Sequence, residues 1–328
     1  MFSFAKKKNN SDTNSNNQSL ELVVDNIYEK NKSIGIENET DEKKRRDWVN
    51  QFKENEILLL DNEEFKLHKI IGKGSYGNVW KVSCKDKYYA LKIITCNEIK
   101  GEQIHIQLSK NIDIIKGINL HCLNTPEEIP LTHGFLMDLG FSVRKPSFKE
   151  CFFILINICK NLSDLNKYNI THNDIKPDNI VRTIDGRYSL IDFSLSCTKH
   201  LIEDNNLIQT RWYRPLEVLT NQPDIDYLKS DIWALGCTIY ELYCNKAIFP
   251  ADCEKTQIEL INKFYSLNPN EQYSLLYNDL FVLQGDFVSY NNKRNFIELI
   301  LLMLTKVNER PNATMLLPII ENTLIKIE

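Results

Sequence analysis

The stretch His172-Asn173-Asp174-Ile175-Lys176-Pro177-Asp178-Asn179 places a carboxylate, an ammonium group and an amide at short, defined intervals. Asp174 can accept the proton of a hydroxyl group, and Lys176 can neutralise a negatively charged group that moves past it. Asn179 offers an amide oxygen to a divalent cation, and Asp192, eighteen residues after Asp174, offers a stronger carboxylate ligand. Phosphoryl transfer needs such positioning and charge neutralisation more than covalent chemistry. The stretch therefore predicts a phosphotransferase site.

A glycine-rich loop lies upstream of this stretch, within a run of predicted strands. Residues 65–71, 79–82 and 88–94 predict three sequential antiparallel strands. The first turn between them contains Gly72, Lys73, Gly74, Ser75, Tyr76 and Gly77. Glycines there would let backbone N–H groups approach a polyphosphate without a side-chain clash. Because the loop joins two strands and lacks a Lys-Ser/Thr ending, it is neither a dinucleotide fingerprint nor a Walker loop. Taken alone, it could be an ordinary hairpin turn.

Lys92 lies at the end of the third strand, where an edge lysine reaching into solvent is the ordinary alternative to a functional one. A helix is predicted to follow, with Asn97 as its N-cap. Glu102 is the preferred partner for Lys92, because Ile106 continues a buried helix face from it. Glu98 remains the alternative, and either carboxylate could instead be exposed.

The order of the predicted elements indicates the fold class. Beyond Phe141 the pattern becomes mainly helical, over residues 148–168, 229–244, 256–266 and 295–306. One β-hairpin, which turns at Asp185-Gly186, interrupts the helices. A small β-rich lobe (64–139) followed by a larger helical lobe (140–328) predicts a bilobal α+β fold with a cleft between the lobes.

The N-terminal segment differs in composition from the rest. Residues 1–45 are rich in Asn, Ser, Lys and Glu, and we expect them to be disordered because they bury little apolar area. Residues 46–63 form a linker or part of a charged helix that runs from about Asp41 to Leu58. Its apolar face (Trp48, Phe52 and Ile57) would pack on its own domain or, alternatively, on a partner.

Bulk composition excludes several classes of protein. The 328 residues have a formal net charge of -4, which gives no general attraction to nucleic acid or anionic membranes. Nine cysteines without a Cys-x-x-Cys pair argue against a zinc site and against a disulfide framework. The longest apolar runs are far shorter than the ~20 residues that span a bilayer. We expect a soluble protein of a reducing compartment, in the cytoplasm or nucleus.

These motifs resemble those of eukaryotic-type protein kinases over about residues 64–328. In the N-terminal part, Gly72-x-Gly74-x-x-Gly77-x-Val79 resembles the glycine-rich loop, and Ala90-Leu91-Lys92 resembles the strand-three lysine motif. The C-terminal counterparts are His172 to Lys176 (catalytic loop), Asp192-Phe193-Ser194 (Asp-Phe-Gly), Pro215-Leu216-Glu217 (Ala-Pro-Glu), Asp231 to Gly236 (the buried supporting helix) and Arg310, the arginine that pairs with Glu217.

The resemblance implies ATP and Mg²⁺ (or Mn²⁺) as cofactors and proteins with Ser or Thr acceptors as substrates. It implies that Met137 is the gatekeeper, that Asp138 and Leu139 form the adenine-binding hinge, and that Val79, Ala90 and Val181 enclose the adenine. Lys176 and Thr210 are similar to the pair that marks serine/threonine specificity. Residues 208–214 resemble the activation segment of the group with cyclin-dependent, mitogen-activated and SR-protein kinases, whereas the hinge resembles casein-kinase-type enzymes. No nucleic-acid or membrane partner is implied, and a regulatory partner is left open.

Departures from the family pattern concern regulation. Asn173 replaces the arginine that usually grips a phosphate on the activation segment, so we predict activity without phosphorylation of that segment. Ser194 replaces a glycine, which restricts the local backbone. The spacing between Lys92 and Glu102 is shorter than the family's, which leaves their ion pair open. The alternatives are a pseudokinase that binds nucleotide as a scaffold and a small-molecule phosphotransferase of similar fold.

Overall fold

The computed structural model describes residues 11–32, 39–74, 77–96, 99–198, 210–281 and 288–326. Two helices, α1 (Ser11–Lys32) and α2 (Glu39–Val49), precede the first strand. The prediction of disorder over residues 1–45 is therefore wrong for the part of that segment which the structure describes. Local composition misled it, because Leu20 and Val24 are buried against the folded domain and this packing stabilises a helix that would be marginal alone.

The second helix is shorter than predicted and packs on its own domain. It ends at Val49 instead of reaching Leu58. Trp48 and Phe52 lie against the apolar core of the neighbouring sheet, whereas Ile57 is exposed. Of the two alternatives for this face, packing within the chain is the one that the structure shows.

A six-stranded sheet forms the first part of the fold. Its strands are β1 (Ile57–Leu60), β2 (Glu63–Gly74), β3 (Gly77–Cys84), β4 (Lys87–Ile94), β5 (Gly117–Cys122) and β6 (His133–Asp138), in the order β1-β2-β3-β4-β6-β5. All neighbouring pairs are antiparallel. The β3–β4 turn has positive φ at both Lys85 and Asp86, as a tight two-residue hairpin requires. The three predicted strands thus lie side by side in the order expected from the sequence.

Helix α3 (Lys100–Leu108) packs beside this sheet and begins later than predicted. Its N-cap position is Ile99, whose side chain cannot cap a helix, so the prediction of Asn97 as N-cap is wrong. Asn97 and Glu98 themselves lie outside the described residues. With nine residues and no side-chain cap, α3 depends on tertiary contacts for its position.

The second part of the fold is mainly helical. The short strands are β7 (Gly140–Ser142), β8 (Ile170–Thr171), β9 (Ile180–Thr183), β10 (Tyr188–Leu190) and β11 (Cys197–Thr198). The helices are α4 (Phe148–Asn166), α5 (Leu216–Leu219), α6 (Tyr227–Cys244), α7 (Glu254–Ser266), α8 (Pro269–Phe281), α9 (Tyr290–Met303) and α10 (Ala313–Ile325). Strands β9 and β10 form the predicted hairpin, with Gly186 at positive φ in its turn. The predicted helices correspond to α4, α6, α7 and α9, whereas α8 and α10 were not predicted.

Two features organise the helical part. Helix α4 begins with a complete capping box between Ser147 and Glu150, which explains its sharp start. Helix α6 is buried along almost its whole length and contains Trp233, the largest fully buried side chain of the core. The prediction of an α+β chain, with a sheet-rich part before a helical part, is confirmed. None of the described helices is both long enough and apolar enough to cross a bilayer.

Candidate active site

A cavity of about 630 Å³ lies between the sheet and the helical part, which is within the usual range for small-molecule sites. The predicted residues that line it are Gly72, Lys73, Gly77, Val79, Ala90, Lys92, Glu102, Met137, Asp138, Asp174, Lys176, Asn179, Val181, Asp192 and Thr210. Gly74 and Leu139 do not line it, and the Leu139 side chain is buried in a small apolar cluster with Ala90 and Met137. Ser75 and Tyr76 lie outside the described residues.

Lys92 projects from β4 into the cavity and forms an ion pair with Glu102 of α3. The Nζ–Oε1 distance is 2.6 Å, and the Asp192 carboxylate lies 3.8 Å from the same ammonium group. Burial alone would lower the pKa of Lys92, but Glu102 and Asp192 outweigh it and raise the pKa above its ordinary value. Lys92 is therefore a permanently charged group, and the short sequence spacing to Glu102 does not prevent the pair.

Asp174 lies at the centre of a hydrogen-bonded group. One carboxylate oxygen accepts hydrogen bonds from the Thr210 hydroxyl (2.8 Å) and the Thr210 amide (3.2 Å). The other oxygen lies 2.8 Å from the Lys176 ammonium, which also donates to the Thr210 hydroxyl at 3.0 Å. A carboxylate, a cation and a hydroxyl thus meet at one point of the cavity, over a sequence separation that only the fold can close.

Asn179 and Asp192 offer oxygen donors on the same wall. The Asn179 amide nitrogen donates to the backbone carbonyl and the carboxylate of Asp174, at 2.8 and 2.9 Å, so its amide oxygen is left for a cation. Burial would raise the pKa of Asp192, but Lys92 and a hydrogen bond from Ser194 lower it, so this carboxylate is ionised. One carboxylate and one amide oxygen suit Mg²⁺, which keeps several positions for water and phosphate oxygens.

The catalytic loop is anchored by a buried carboxylate. Asp231 of α6 accepts the backbone N–H groups of His172 (2.8 Å) and Asn173 (3.0 Å), one on each oxygen. Burial raises the pKa of Asp231 to about 7, against the opposing effect of these two donors. Asn173 adopts a φ of 63°, which asparagine tolerates better than most residues. The Asp231 carboxylate therefore holds the backbone in a turn, and Asp174, the next residue along the chain, lines the cavity.

The comparisons with known proteins agree with this geometry. The family model for the protein kinase domain matches residues 65–318. The chain belongs to the protein kinase family. A protein kinase domain implies the use of ATP and, in general, of a divalent metal ion.

Several curated kinases are similar to this one. Mitogen-activated protein kinase 15 of Caenorhabditis elegans is 29% identical over 61% of this chain and 48% of its own length. A probable cell division protein kinase of Encephalitozoon cuniculi is 30% identical, over 60% and 78%. A cyclin-dependent kinase 4 homolog of C. elegans is 31% identical, over 60% and 54%. The match spans about half the length of the first and third of these relatives, and the names support the predicted relation to the cyclin-dependent and mitogen-activated group.

Two glycines that line the cavity, Gly101 and Gly140, make close contacts that the sequence interpretation missed. A Cβ atom added to Gly101 of α3 would lie 2.5 Å from the Cα and N atoms of Ser194, so the helix rests directly on the segment that contains Asp192. A Cβ atom on Gly140 would lie 2.8 Å from a methyl group of Val181. The positions of these glycines can be read from the sequence, but the distant segments that they contact cannot.

A row of aromatic rings connects α3 to the catalytic loop of the kinase. His105 lies 5.3 Å from the ring of Phe135 and 4.9 Å from that of Phe193, and Phe193 lies 4.9 Å from His172. Burial lowers the pKa of His105 to about 4 and also lowers the pKa of His172, so both rings are neutral. The neutral His172 ring packs on Phe193 as the last member of this row. His105 and Phe135 were not singled out from the sequence.

The segment after Thr210 is held by a buried ion pair. Arg310 donates to both carboxylate oxygens of Glu217, at 2.6 and 3.5 Å, and its guanidinium lies 5.1 Å from the ring centre of Trp233. The two side chains are 0% and 4% exposed, so the pair lies inside the core. The arginine named from the kinase resemblance thus contacts the expected glutamate.

Proposed function

We propose that this kinase transfers the γ-phosphoryl group of ATP to Ser and Thr hydroxyls of proteins, without phosphorylation of its activation segment. The observation that carries the proposal is the contact of Asp174 with a hydroxyl group, that of Thr210, while Lys176 contacts both. A substrate hydroxyl placed beside Asp174 would find the same acceptor for its proton and the same cation for the phosphoryl group.

The nucleotide would occupy the cavity with its phosphates towards Lys92. This ammonium is held by Glu102 and stays charged, which suits a group that binds phosphate oxygens. Asn179 and Asp192 would hold the divalent metal ion, which neutralises phosphate charge when bound. Val79, Ala90 and Val181 would enclose the adenine, and Met137, Asp138 and the backbone of Leu139 would form the gatekeeper and hinge.

Independence from phosphorylation is supported by the contacts of Asn173. Its amide nitrogen donates to the Thr171 hydroxyl at 2.8 Å and to the Leu195 carbonyl at 3.1 Å. The side chain is fully buried and uncharged, so it offers no cation to a phosphate on the activation segment. Instead, it ties the strand before the catalytic loop to the segment after Asp192 through these two hydrogen bonds.

The experiment measures phosphate transfer from labelled ATP to a library of Ser, Thr and Tyr peptides. The full chain is produced in bacteria, treated with phosphatase and checked by mass spectrometry for unmodified residues. We expect transfer to Ser and Thr peptides before and after phosphatase treatment, at rates equal within about twofold. Asp174→Asn should reduce the rate by about 10³-fold, in line with loss of a general base, while nucleotide binding is retained.

The matched control is Asp185→Asn, the same chemical change in the exposed turn between β9 and β10. It should leave the rate unchanged. A wild-type chain that binds nucleotide and transfers nothing would support the pseudokinase alternative. A chain that stays inactive until an upstream kinase modifies it would contradict independence from phosphorylation, and transfer to Tyr peptides alone would contradict the specificity.

A further inference from the structure

Helix α1 crosses the kinase fold at the place where α3 meets the strands that flank the catalytic loop. It packs on both α3 and β11. Leu20 and Val24 are 4% and 0% exposed and belong to the same apolar cluster as Ile104 and Leu108 of α3. Leu22, on the other side of α1, is 60% exposed. One face of α1 is therefore buried in the domain, although α1 precedes the family match at residues 65–318.

Polar contacts link the same helix to two separate elements. On the α3 side, the Asn31 amide donates to Gln103 at 3.0 Å, and the Lys100 ammonium lies 4.5 Å from the ring centre of Tyr28. On the β11 side, the Thr198 hydroxyl donates to the Asp25 carboxylate at 2.5 Å. Both neighbours of α1 adjoin the site, because α3 carries Glu102 and β11 follows the segment that contains Asp192.

Helix α3 needs such support. It has nine residues, no side-chain N-cap and a glycine in its first turn, and each of these features weakens a helix on its own. Its functional contact, Glu102 with Lys92, is made from that same first turn. A small movement of α3 away from β4 would separate the two charges.

We propose that α1 is an intramolecular brace that holds α3 in the position where Glu102 pairs with Lys92. Leu20, Val24, Asp25 and Asn31 are positioning residues, since they touch neither the cavity nor the reacting groups. The inference rests on the proposed kinase activity for its catalytic readout. It gives a second reason, besides Asn173, why this kinase needs no phosphorylated activation segment: the element that must be held in place is held by the chain itself.

The test compares Val24→Asp with Leu22→Asp in the full-length chain. Both variants add one negative charge to the same helix, but only the first places it at a buried position. We expect Val24→Asp to lower kcat by about tenfold or more, and Leu22→Asp to stay within about twofold of the wild type. Hydrogen exchange should become faster in residues 100–108 with Val24→Asp, while residues 227–244 of α6 stay protected.

A double-mutant comparison separates bracing from general damage. If α1 acts through Glu102, adding Val24→Asp to Glu102→Gln should lower kcat by less than about twofold further. Multiplicative losses would overturn the proposal, and so would equal effects of Val24→Asp and Leu22→Asp. If Val24→Asp also exposes α6, the milder pair Val24→Ala and Asn31→Ala decides, and unchanged exchange in α3 would then overturn the brace.

The exchange measurement does not depend on catalysis. If the wild-type chain transfers no phosphate, the proposed function fails, but faster exchange confined to α3 would still support the brace. If the wild-type chain is active and the α1 variants leave hydrogen exchange in α3 unchanged, the proposed function stands and the brace fails.

Discussion

The two walls of the cavity hold their charged groups in different ways. On the helical wall, Asp174 and Asn179 lie on a loop whose backbone is tied to Asp231 of the buried helix α6. On the sheet wall, Lys92 depends on Glu102, which belongs to a nine-residue helix without a side-chain cap. The first wall is anchored in the larger apolar core, whereas the position of the second depends on individual side-chain contacts of α3 that single substitutions can remove.

The two walls should therefore differ in how easily their charged groups change position while the protein stays folded. A buried carboxylate with two backbone donors has few alternative arrangements, so the Asp174 loop is formed whenever the helical part is folded. A short helix has a position of its own that can shift while the domain stays folded. Variants of the residues that anchor the helical wall should therefore reduce stability, and variants of the residues that position Lys92 on the sheet wall should reduce activity with little loss of stability.

The largest effect is expected from Arg310→Met, which breaks the buried pair with Glu217. It leaves a carboxylate without its partner inside the core, and we expect unfolding to require about 3–5 kcal/mol less free energy. The measurement is denaturant unfolding of both proteins. Arg294→Met is the control, because its pair with Glu298 is more than half exposed and should contribute less than about 1 kcal/mol. Equal losses in the two variants would contradict the view that buried polar contacts anchor the helical wall.

Asp231→Asn should have the next largest effect. An amide can accept only one of the two backbone N–H groups, so one buried donor is left unsatisfied, which destabilises the fold by about 1–3 kcal/mol. Activity should fall together with stability, since the loop carries Asp174. Thermal unfolding and peptide phosphorylation, measured side by side, would show this coupling. Asp224→Asn, at an exposed position with positive φ, should change neither.

Glu102→Gln tests the opposite wall. Loss of the charge partner should lower the rate of phosphate transfer by about tenfold, equivalent to about 1.4 kcal/mol of transition-state stabilisation. The free energy of unfolding should change by less than about 1 kcal/mol, because Lys92 keeps Asp192 as a neighbour at 3.8 Å. Glu127→Gln, on an exposed loop, is the matched control. A loss of stability as large as that of Asp231→Asn would remove the distinction between the walls.

Gly101→Ala should give the smallest effect and the clearest separation of activity from stability. The added Cβ atom would overlap the Ser194 backbone, so α3 must shift, and we expect about a fivefold lower rate. Alanine is also the better helix former by about 1 kcal/mol, so the free energy of unfolding should change little. Steady-state kinetics and thermal unfolding of the same preparation would check both. An unchanged rate would mean that α3 can accommodate the Cβ atom without displacing Glu102.

Much of the site was visible in the sequence because its residues belong to two compact segments. The interval from Asp174 to Asn179 spans one loop and one short helical turn, so local chain geometry already brings these groups together. The glycines at 72 and 77 mark a strand–turn–strand unit that was predicted as such, although β2 continues to Gly74 and β3 begins at Gly77, past the predicted strand ends at 71 and 79. Local patterns of this kind are set by neighbours along the chain.

Other features could not be predicted because they depend on distant neighbours. The start of α3 was misplaced, since its position is set by contacts and not by a capping residue. Helix α10 was missed because Pro318 lies inside it, where a proline ordinarily ends a helix. The order in residues 20–32 was missed because the surface that buries Leu20 and Val24 belongs to elements much later in the chain.

The sequence by itself determined the family, the succession of a sheet-rich part and a helical part, and the charged residues Lys92, Asp174 and Asp192 that line the cavity. These features follow from residue types at short sequence intervals, and such intervals are recognisable without knowledge of the rest of the fold. Only the tertiary structure decided that Glu102 contacts Lys92, that Gly101 lies on the Ser194 backbone, and that α1 covers α3. Such contacts join segments far apart in the chain, and their geometry depends on how the whole core packs around α6 and the sheet.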